Sequence, residues 1–500
     1  MRREKNWKKA LLAVLVMVLV PLVYQDTRAD TAARTLTLTV SSSSSTGLNL
    51  TAPNCGVAST AAVVPSATLW GNFVPPAVGS TYNDGAGYCS PKRITNIGSG
   101  GQMLCEYSLV QCISEADDML LLFNGDAAHW NIYDFNGNVV ISGTAFNTAT
   151  NINNSEPRWD RFVDNVIWVT TGHSLEKCTI VIGNPGSMSC VTSHTFTEYA
   201  YSVVFPADAD MNENGWVPMV GQNVEGSTID VFMYQPNTST KAGTYTYSCT
   251  GEGNSFEPAC IHRLESTPNN GMTIEGPTSP VGGDALWLPP FSGAPVAWDP
   301  STGHHATGYE INGTTLVAAF EDFDSTNTGG PCDFRPVIIG FATTSVPGNC
   351  PITPPGTTNP PPEFGWHVAY QDHATRPWVV ITQQANGTAP QLFGNEAGYA
   401  APVAWNLAGG NWYPYQGAVT IARVDSSVSA VGQSTTQVYQ LTLHHARQHA
   451  AQYWSDVYAS MSWDGKYIVF NSNSAFNPAG CPTGGYTGDC GDTYLIGPLF

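Results

Sequence analysis

Along most of the chain, apolar and polar residues alternate over four to eight positions, then break at clusters of Gly, Pro, Asn and Asp. No stretch sustains a helical period, so the pattern predicts many short strands joined by turns. The clearest copy is Tyr458–Asn473, YASMSWDGKYIVFNSN, where Asp464-Gly465 separates an alternating run from the β-branched and aromatic run Tyr467–Phe470. Pro157–Thr170, His305–Phe320 and Trp366–Thr382 repeat this strand-turn-strand layout, and Met119–Gly143, Trp216–Tyr234 and Ala401–Val424 repeat it more weakly. Seven units at this spacing fill residues 70–500. The poorly registered stretch Ala52–Glu106 leaves six or eight units open.

Ser462, Asp464, Gly465, Ile468 and Phe470 resemble the hairpin of TolB-like and WD40-like propeller repeats. Together with the repeats, this resemblance implies an all-β fold, a single β-propeller of seven blades. The strand pattern at Asp492–Leu499 predicts an outer strand at the end of the chain, and Thr35–Val40 is a candidate closing strand, though the run Ser41–Ser45 separates it from the fold.

Two departures from alternation bound the compartment. Arg2, Arg3, Lys5, Lys8 and Lys9 precede the apolar run Ala10–Tyr24, which is too short and wrongly flanked for a spanning helix. Residues 1–29 read as a signal peptide cleaved after Ala29, 30–51 as an N-terminal strand and serine-rich tether, and 52–500 as the propeller, with no transmembrane span left after cleavage. The twelve cysteines then read as disulfides, paired consecutively as local staples: Cys55/Cys89, Cys105/Cys112, Cys178/Cys190, Cys249/Cys260, Cys332/Cys350 and Cys481/Cys490. The expected location is secreted, periplasmic or at the cell surface. Cleavage removes six basic and two acidic residues and leaves 13 basic against 37 acidic side chains, a charge of −24. Such a surface repels phosphate backbones and excludes nucleic acid as a partner.

No P-loop, dinucleotide fingerprint, nucleophile elbow or haem-attachment motif occurs, so neither nucleotide nor haem is expected. The informative residues are histidines at comparable points of successive units: His304, His305, His367, His444 and His445. With His305 and His367 opening the second strands of their units and Val438–Leu443 as an innermost strand, all five point toward one mouth of the ring. His373, in the intervening turn, falls at the other mouth. Converging imidazoles suit a divalent metal such as Mn²⁺ or Zn²⁺, or an acid/base pair beside an anionic substrate; as isolated side chains they equally suit strand-end caps. Arg158, opening an earlier strand, is placed to clamp a carboxylate, and Tyr453 supplies a catalytic or platform aromatic beside the His444–His445 pair.

In outline the arrangement is similar to the oligogalacturonate lyases, exported seven-bladed propellers. The resemblance implies metal ligation by His305, His367, His444 and His445 and β-elimination at a uronate; the family's ligand glutamine has no matching position. It implies a propeller that binds or acts on an extracellular polysaccharide. The alternative is a non-catalytic binding or scaffold propeller for glycan or cell-surface protein partners. Fourteen Trp and twenty-one Tyr suit either sugar stacking or packing between blades. The run Asp208–Asn214 has alternate oxygen ligands that suit Ca²⁺ but lacks the glycine and distal glutamate of an EF-hand loop.

Overall fold

The computed structural model describes residues 52–58, 73–97, 102–124, 129–150, 156–183, 185–206, 209–224, 228–248, 261, 263–275, 284–299, 305–309, 316–320, 334–336, 366–370, 378–383, 417–423, 438–446, 457–474 and 491–500. All belong to the second of the chain's two compact units, residues 47–500. The expected signal peptide and tether, Thr35–Val40, His304, Tyr453, and the pairs Cys249/Cys260, Cys332/Cys350 and Cys481/Cys490 lie outside them.

After a two-residue strand β1 (Lys92–Arg93), the chain lays down antiparallel sheets one after another. The first holds β2 (Met119–Asn124), β3 (His129–Asp134) and β4 (Val139–Ile141), followed by the only α-helix among the described residues, α1 (Gly143–Thr150). The second holds β5 (Arg158–Trp159), β6 (Val166–Thr171), β7 (Ser174–Val181) and β8 (Ser187–Thr195). The third holds β9 (Ser202–Val204), β10 (Val217–Gln222), β11 (Thr228–Gln235) and β12 (Thr240–Ser248). Next come β13 (Arg263–Ser266), β14 (Met272–Glu275), β15 (Asp284–Trp287) and β16 (Val296–Asp299), then β17 (His305–Tyr309), β18 (Leu316–Phe320) and β19 (Phe334–Pro336). The last two sheets are β20 (Trp366–Ala369), β21 (Trp378–Gln383), β22 (Ala418–Arg423) and β23 (Val438–Leu443), and β24 (Ala459–Met461), β25 (Ile468–Ser472) and β26 (Asp492–Ile496) with β1 as its outer strand.

Apolar faces of successive sheets meet in shared cores, which explains the near-continuous hydrophobic strands. Trp168 and Leu175 pack with Val217 and Phe232, and Val231 and Met233 pack with Leu264 and Ile274. Val380 and Ile421 pack with Ile468 and Phe470, and Val469 and Leu495 of the last sheet pack with Leu120 and Leu122 of the first. The order returns on itself, which is the β-propeller arrangement. Many of the tryptophans fill these layers: Trp130, Trp159, Trp168, Trp287, Trp378 and Trp463 are buried.

A local rule builds the first hairpin of five sheets. Ser114, Asp160, Asn212, Thr267 and Ser462 each open the first turn, donating a backbone N–H across its base to Met119, Val166, Trp216, Gly271 and Tyr467. Each also bends its own side chain over the turn: Ser114 Oγ accepts from Met119 N, Asn212 Oδ1 from Trp216 N and Ser462 Oγ from Tyr467 N. Short hydroxyl, amide or carboxylate side chains do this best, because they satisfy turn N–H groups within two to five residues.

The structure corrects four sequence expectations. The seven repeat units stand for six blades, not seven: Ala401–Val424 supplies β22 to the sheet that Trp366–Thr382 begins, and no unit was read over Arg263–Asp299, where β13–β16 form a further sheet. The reference hairpins are first and second strands of their sheets, not second and third. Val438–Leu443 is a fourth strand, not an innermost one. Ring closure is made by β1, with Lys92↔Leu495 and Arg93↔Tyr494, so β26 is a third strand and not the outer one. Arg93 locks the closure through a buried ion pair to Asp492 (2.5 Å), whose other oxygen accepts from Thr95 and Ile97.

Three of the expected disulfides are present, Cys55–Cys89, Cys105–Cys112 and Cys178–Cys190. Among the described residues no helix is long and apolar enough to cross a membrane.

Candidate functional site at the ring axis

The strand ahead of β2 carries an insertion that defines the centre of the ring. Leu104 bridges Phe123 and Ile113 bridges Leu120, so nine steps of chain face three steps of β2. Six residues are surplus, and they are the six, Glu106–Gln111, enclosed by the Cys105–Cys112 bridge. Glu106 pairs with Arg158 of β5 (3.4 Å), and Gln111 donates its N–H to Asp210, between β9 and β10 (2.6 Å). The Arg263 guanidinium of β13 lies over the Tyr107 ring (5.5 Å), and Tyr107 stands 5.0 Å from Tyr458. Tyr107, Leu109 and Val110 share one apolar cluster with Ala306 of β17 and Val368 of β20. Ser460 of β24 donates to Val110 O, and Gln111 Nε2 donates to Met461 O. A six-residue loop meets the first strands, or their immediate extension, of all six other sheets only if it lies on the axis.

Around this loop the first strands gather buried charge. Arg158, 1% exposed, pairs with Glu156 and Glu106 and donates to the carbonyls of Pro157, Ala209 and Pro206. Burial pulls its pKa down most, yet Glu156, Glu106 and Asp210 together hold it above the ordinary arginine value. Asp210 responds oppositely: burial pushes its carboxyl up to about 6 against the pull of Arg158 and of the Met211 and Gln111 amides. On the next sheet Arg263 pairs with its cross-strand partner Glu275 (3.4 Å), and Glu265 accepts from the N–H of Thr307 on β17 (2.7 Å). Both axial arginines are committed to carboxylates of the chain, so Arg158 is not presented as an open carboxylate clamp.

The candidate histidines separate into two places. His305 opens β17 and His367 is the second residue of β20; β17 and β20 are first strands of neighbouring sheets and pack together. His444 and His445 instead follow β23, the far strand. The registers His367↔Thr382, Thr382↔Val419 and Val419↔Thr442 put them at the same end of the sheet as His367. Three strand spacings, about 14 Å, lie between the backbones.

The two residues after β23 are also occupied. His445 Nε2 bonds Asp84 Oδ1 (2.7 Å), and its ring stacks on Phe73 (3.8 Å between centroids). The other Asp84 oxygen accepts from Thr442 Oγ1 and Leu443 N. His444 Nδ1 accepts from Ala446 N. These contacts clamp residues 73–89 onto the outer edge of the sheet, where Val57 and Cys89 also bond the backbone of β23. The two histidines are therefore rim clamps and do not converge with His305 and His367. Of the calcium candidate Asp208–Asn214, Asp208 lies outside the described residues; Asp210 holds two backbone amides, and Asn212 donates to Thr267 O and Asn270 Oδ1. Among the described residues one cluster of three metal-ligand types occurs, Glu176 with Cys178 and Cys190, and its sulfurs are joined in a disulfide.

Glu106, Gln111, Arg263, Glu265 and Glu275 escaped the sequence reading. Of these only Glu265 carries a sequence signal, and it is positional. Cys112, Arg158, Asp210, Glu265 and Ser460 each stand two residues before the residue that opens the first turn, the position that faces the axis.

No known sequence family and no curated relative matches the chain. Among solved structures it is similar to an oligogalacturonate lyase in complex with manganese, at 11% identity and a TM-score of 0.44, covering 84% of this chain and 96% of that one. It is also similar to the Dos1 propeller (8%, TM-score 0.33, 80% and 94% covered) and to TolB from Acinetobacter baumannii (10%, TM-score 0.25, 80% and 63% covered). These are propeller likenesses at a level that bears on no residue of the site.

Proposed function

We propose that the chain is an exported β-propeller that binds an extracellular polysaccharide at the end of the ring where the first strands begin, with His305 and His367 holding a divalent metal. The observation that carries this reading is their placement on neighbouring first strands. Two imidazoles on adjacent strands are a donor set that borderline divalent ions such as Mn²⁺ and Zn²⁺ accept. Bound there, the metal would supply positive charge to sugar oxygens. That charge matters because Arg158 and Arg263 are already neutralised by Glu106, Glu156 and Glu275. A uronate therefore depends on the metal, whereas a neutral glycan does not. The basic residues and apolar run within residues 1–24 and the disulfides support export.

The test is metal analysis of the purified mature protein beside a His305→Ala/His367→Ala variant, with calorimetric titration of uronate and neutral oligosaccharides before and after chelation. About one metal per chain, lost in the variant, is expected, together with uronate binding that chelation removes. A metal content equal in both proteins would sink the metal reading, and absence of binding to either glycan would sink the polysaccharide reading.

A non-catalytic scaffold for a protein partner is the second reading. It draws on Val181, Ile182 and Val191, which stand 53–65% exposed on the outer hairpin of the second sheet. Retained partner recovery after Val181→Lys/Val191→Lys would dismiss it.

A further inference from the structure

We propose that Glu106–Gln111 is a permanent stopper in the axial channel, locked by Cys105–Cys112, so that the two mouths of the ring do not communicate and a ligand meets the protein from one side only. Three observations carry it, and none depends on the functional reading above. The six residues are surplus to the pairing with β2 and have no place in the sheet. They are packed as core: Tyr107, Ser108, Leu109, Val110 and Gln111 are all buried. Their polar groups are spent on Arg158, Asp210, Ser460 and Met461, which belong to three different sheets, so the loop cannot swing out without breaking contacts on several sides of the ring.

The lock is also out of reach. Cys105 and Cys112 are 2% and 1% exposed, so a thiol reductant finds no approach while the ring is closed. The bridge joins the two points where the loop leaves and re-enters the strand, and so holds the surplus residues together as one plug. Glu106–Arg158 and Gln111–Asp210 then fix its rotation about the axis from two different sheets.

Amide hydrogen exchange of the full chain tests this. Amides of residues 106–111 should exchange with the protection of β2 and β25, at least about a hundredfold slower than the exposed turn at Phe162–Asn165. Exchange at the rate of that turn would overturn the stopper, with no variant needed. In Cys105→Ala/Cys112→Ala, exchange of the loop should rise about tenfold or more while β14 and β21 keep theirs. Unchanged loop protection would show that the bridge is not the lock. Should that variant not fold, Glu106→Gln with the bridge intact replaces it: the loop should stay protected, and loss of protection would overturn the bridge as the element that holds it.

Discussion

Arg158→Met isolates the electrostatics of the axis. The substitution keeps much of the side-chain bulk and removes one positive charge, leaving Glu106, Glu156 and Asp210 facing one another in a buried site. Removing one member of a buried ion pair costs about 3–5 kcal/mol, because the partner charges stay behind without compensation. Unfolding entropy near 2.1 cal/mol/K per residue, over roughly 450 residues, converts this to a fall in melting temperature of about 3–5 °C. Arg158→Lys, which keeps the charge but not the forked donors, should lose less.

The decisive comparison is between pH values. Asp210 already titrates at about 6, and without Arg158 it moves further up. Acidification from pH 8 to pH 5 therefore protonates the stranded carboxylate and returns stability to the variant. Calorimetry at both pH values should show the wild-type-to-variant gap narrowing. An equal gap would refute the account and assign the loss to packing alone.

Further outcomes follow from other parts of the ring. In the wild-type protein, Asp117, pushed up to about 7 by burial and by Asp464, and Asp210, at about 6, both bind protons more tightly folded than unfolded. Their contribution to stability therefore rises as pH falls through 7 and 6 and is complete near 4, and a melting temperature that drops over pH 8 to 6 would contradict it. His445→Ala or Asp84→Ala should destabilise by about 2–3 kcal/mol and speed exchange in residues 73–93, because either leaves a buried polar partner unsatisfied. Metal content should not change in either, and a loss of metal would return His445 to the ligand set. Gly308→Ala should cost more than about 3 kcal/mol, since its Cβ would fall 0.9 Å from a Tyr370 ring atom. Adding Tyr370→Ala should recover part of that loss, and no recovery in chemical denaturation would disprove the clash.

The fold class was legible because short apolar runs bounded by turn residues, as at Ser462–Phe470, report strands directly; here those strands are buried on both faces. Phase was not legible. A hairpin reads the same whether it is the first and second or the second and third of its sheet, so Val438–Leu443 was placed at the axis and its two histidines with it. The sheet at Arg263–Asp299 is not legible despite the Asn270-Gly271 turn, because its first two strands, Arg263–Ser266 and Met272–Glu275, are only four residues each. Three local disulfides were legible from spacing, but the purpose of Cys105–Cys112 was not. A bridge enclosing six residues looks like any hairpin staple until the register shows that the enclosed residues belong to no strand. Arg158 was singled out, but only the structure shows that Glu106, far from Glu156 in sequence, already shares it.

The pairing of β1 with β26 has a consequence for how the protein is made. Arg93 and Asp492 are 399 positions apart, and a chain that emerges N-terminus first carries β1 without its partner until Asp492–Ile496 has appeared. Closure therefore waits for all the intervening sheets, and until β26 is made the growing chain is an open arc. A two-residue strand bearing Lys92 and Arg93 offers little edge for another chain to join during that wait. Loss of Asp492–Ile496 would leave β1 without a partner and the circle unfinished.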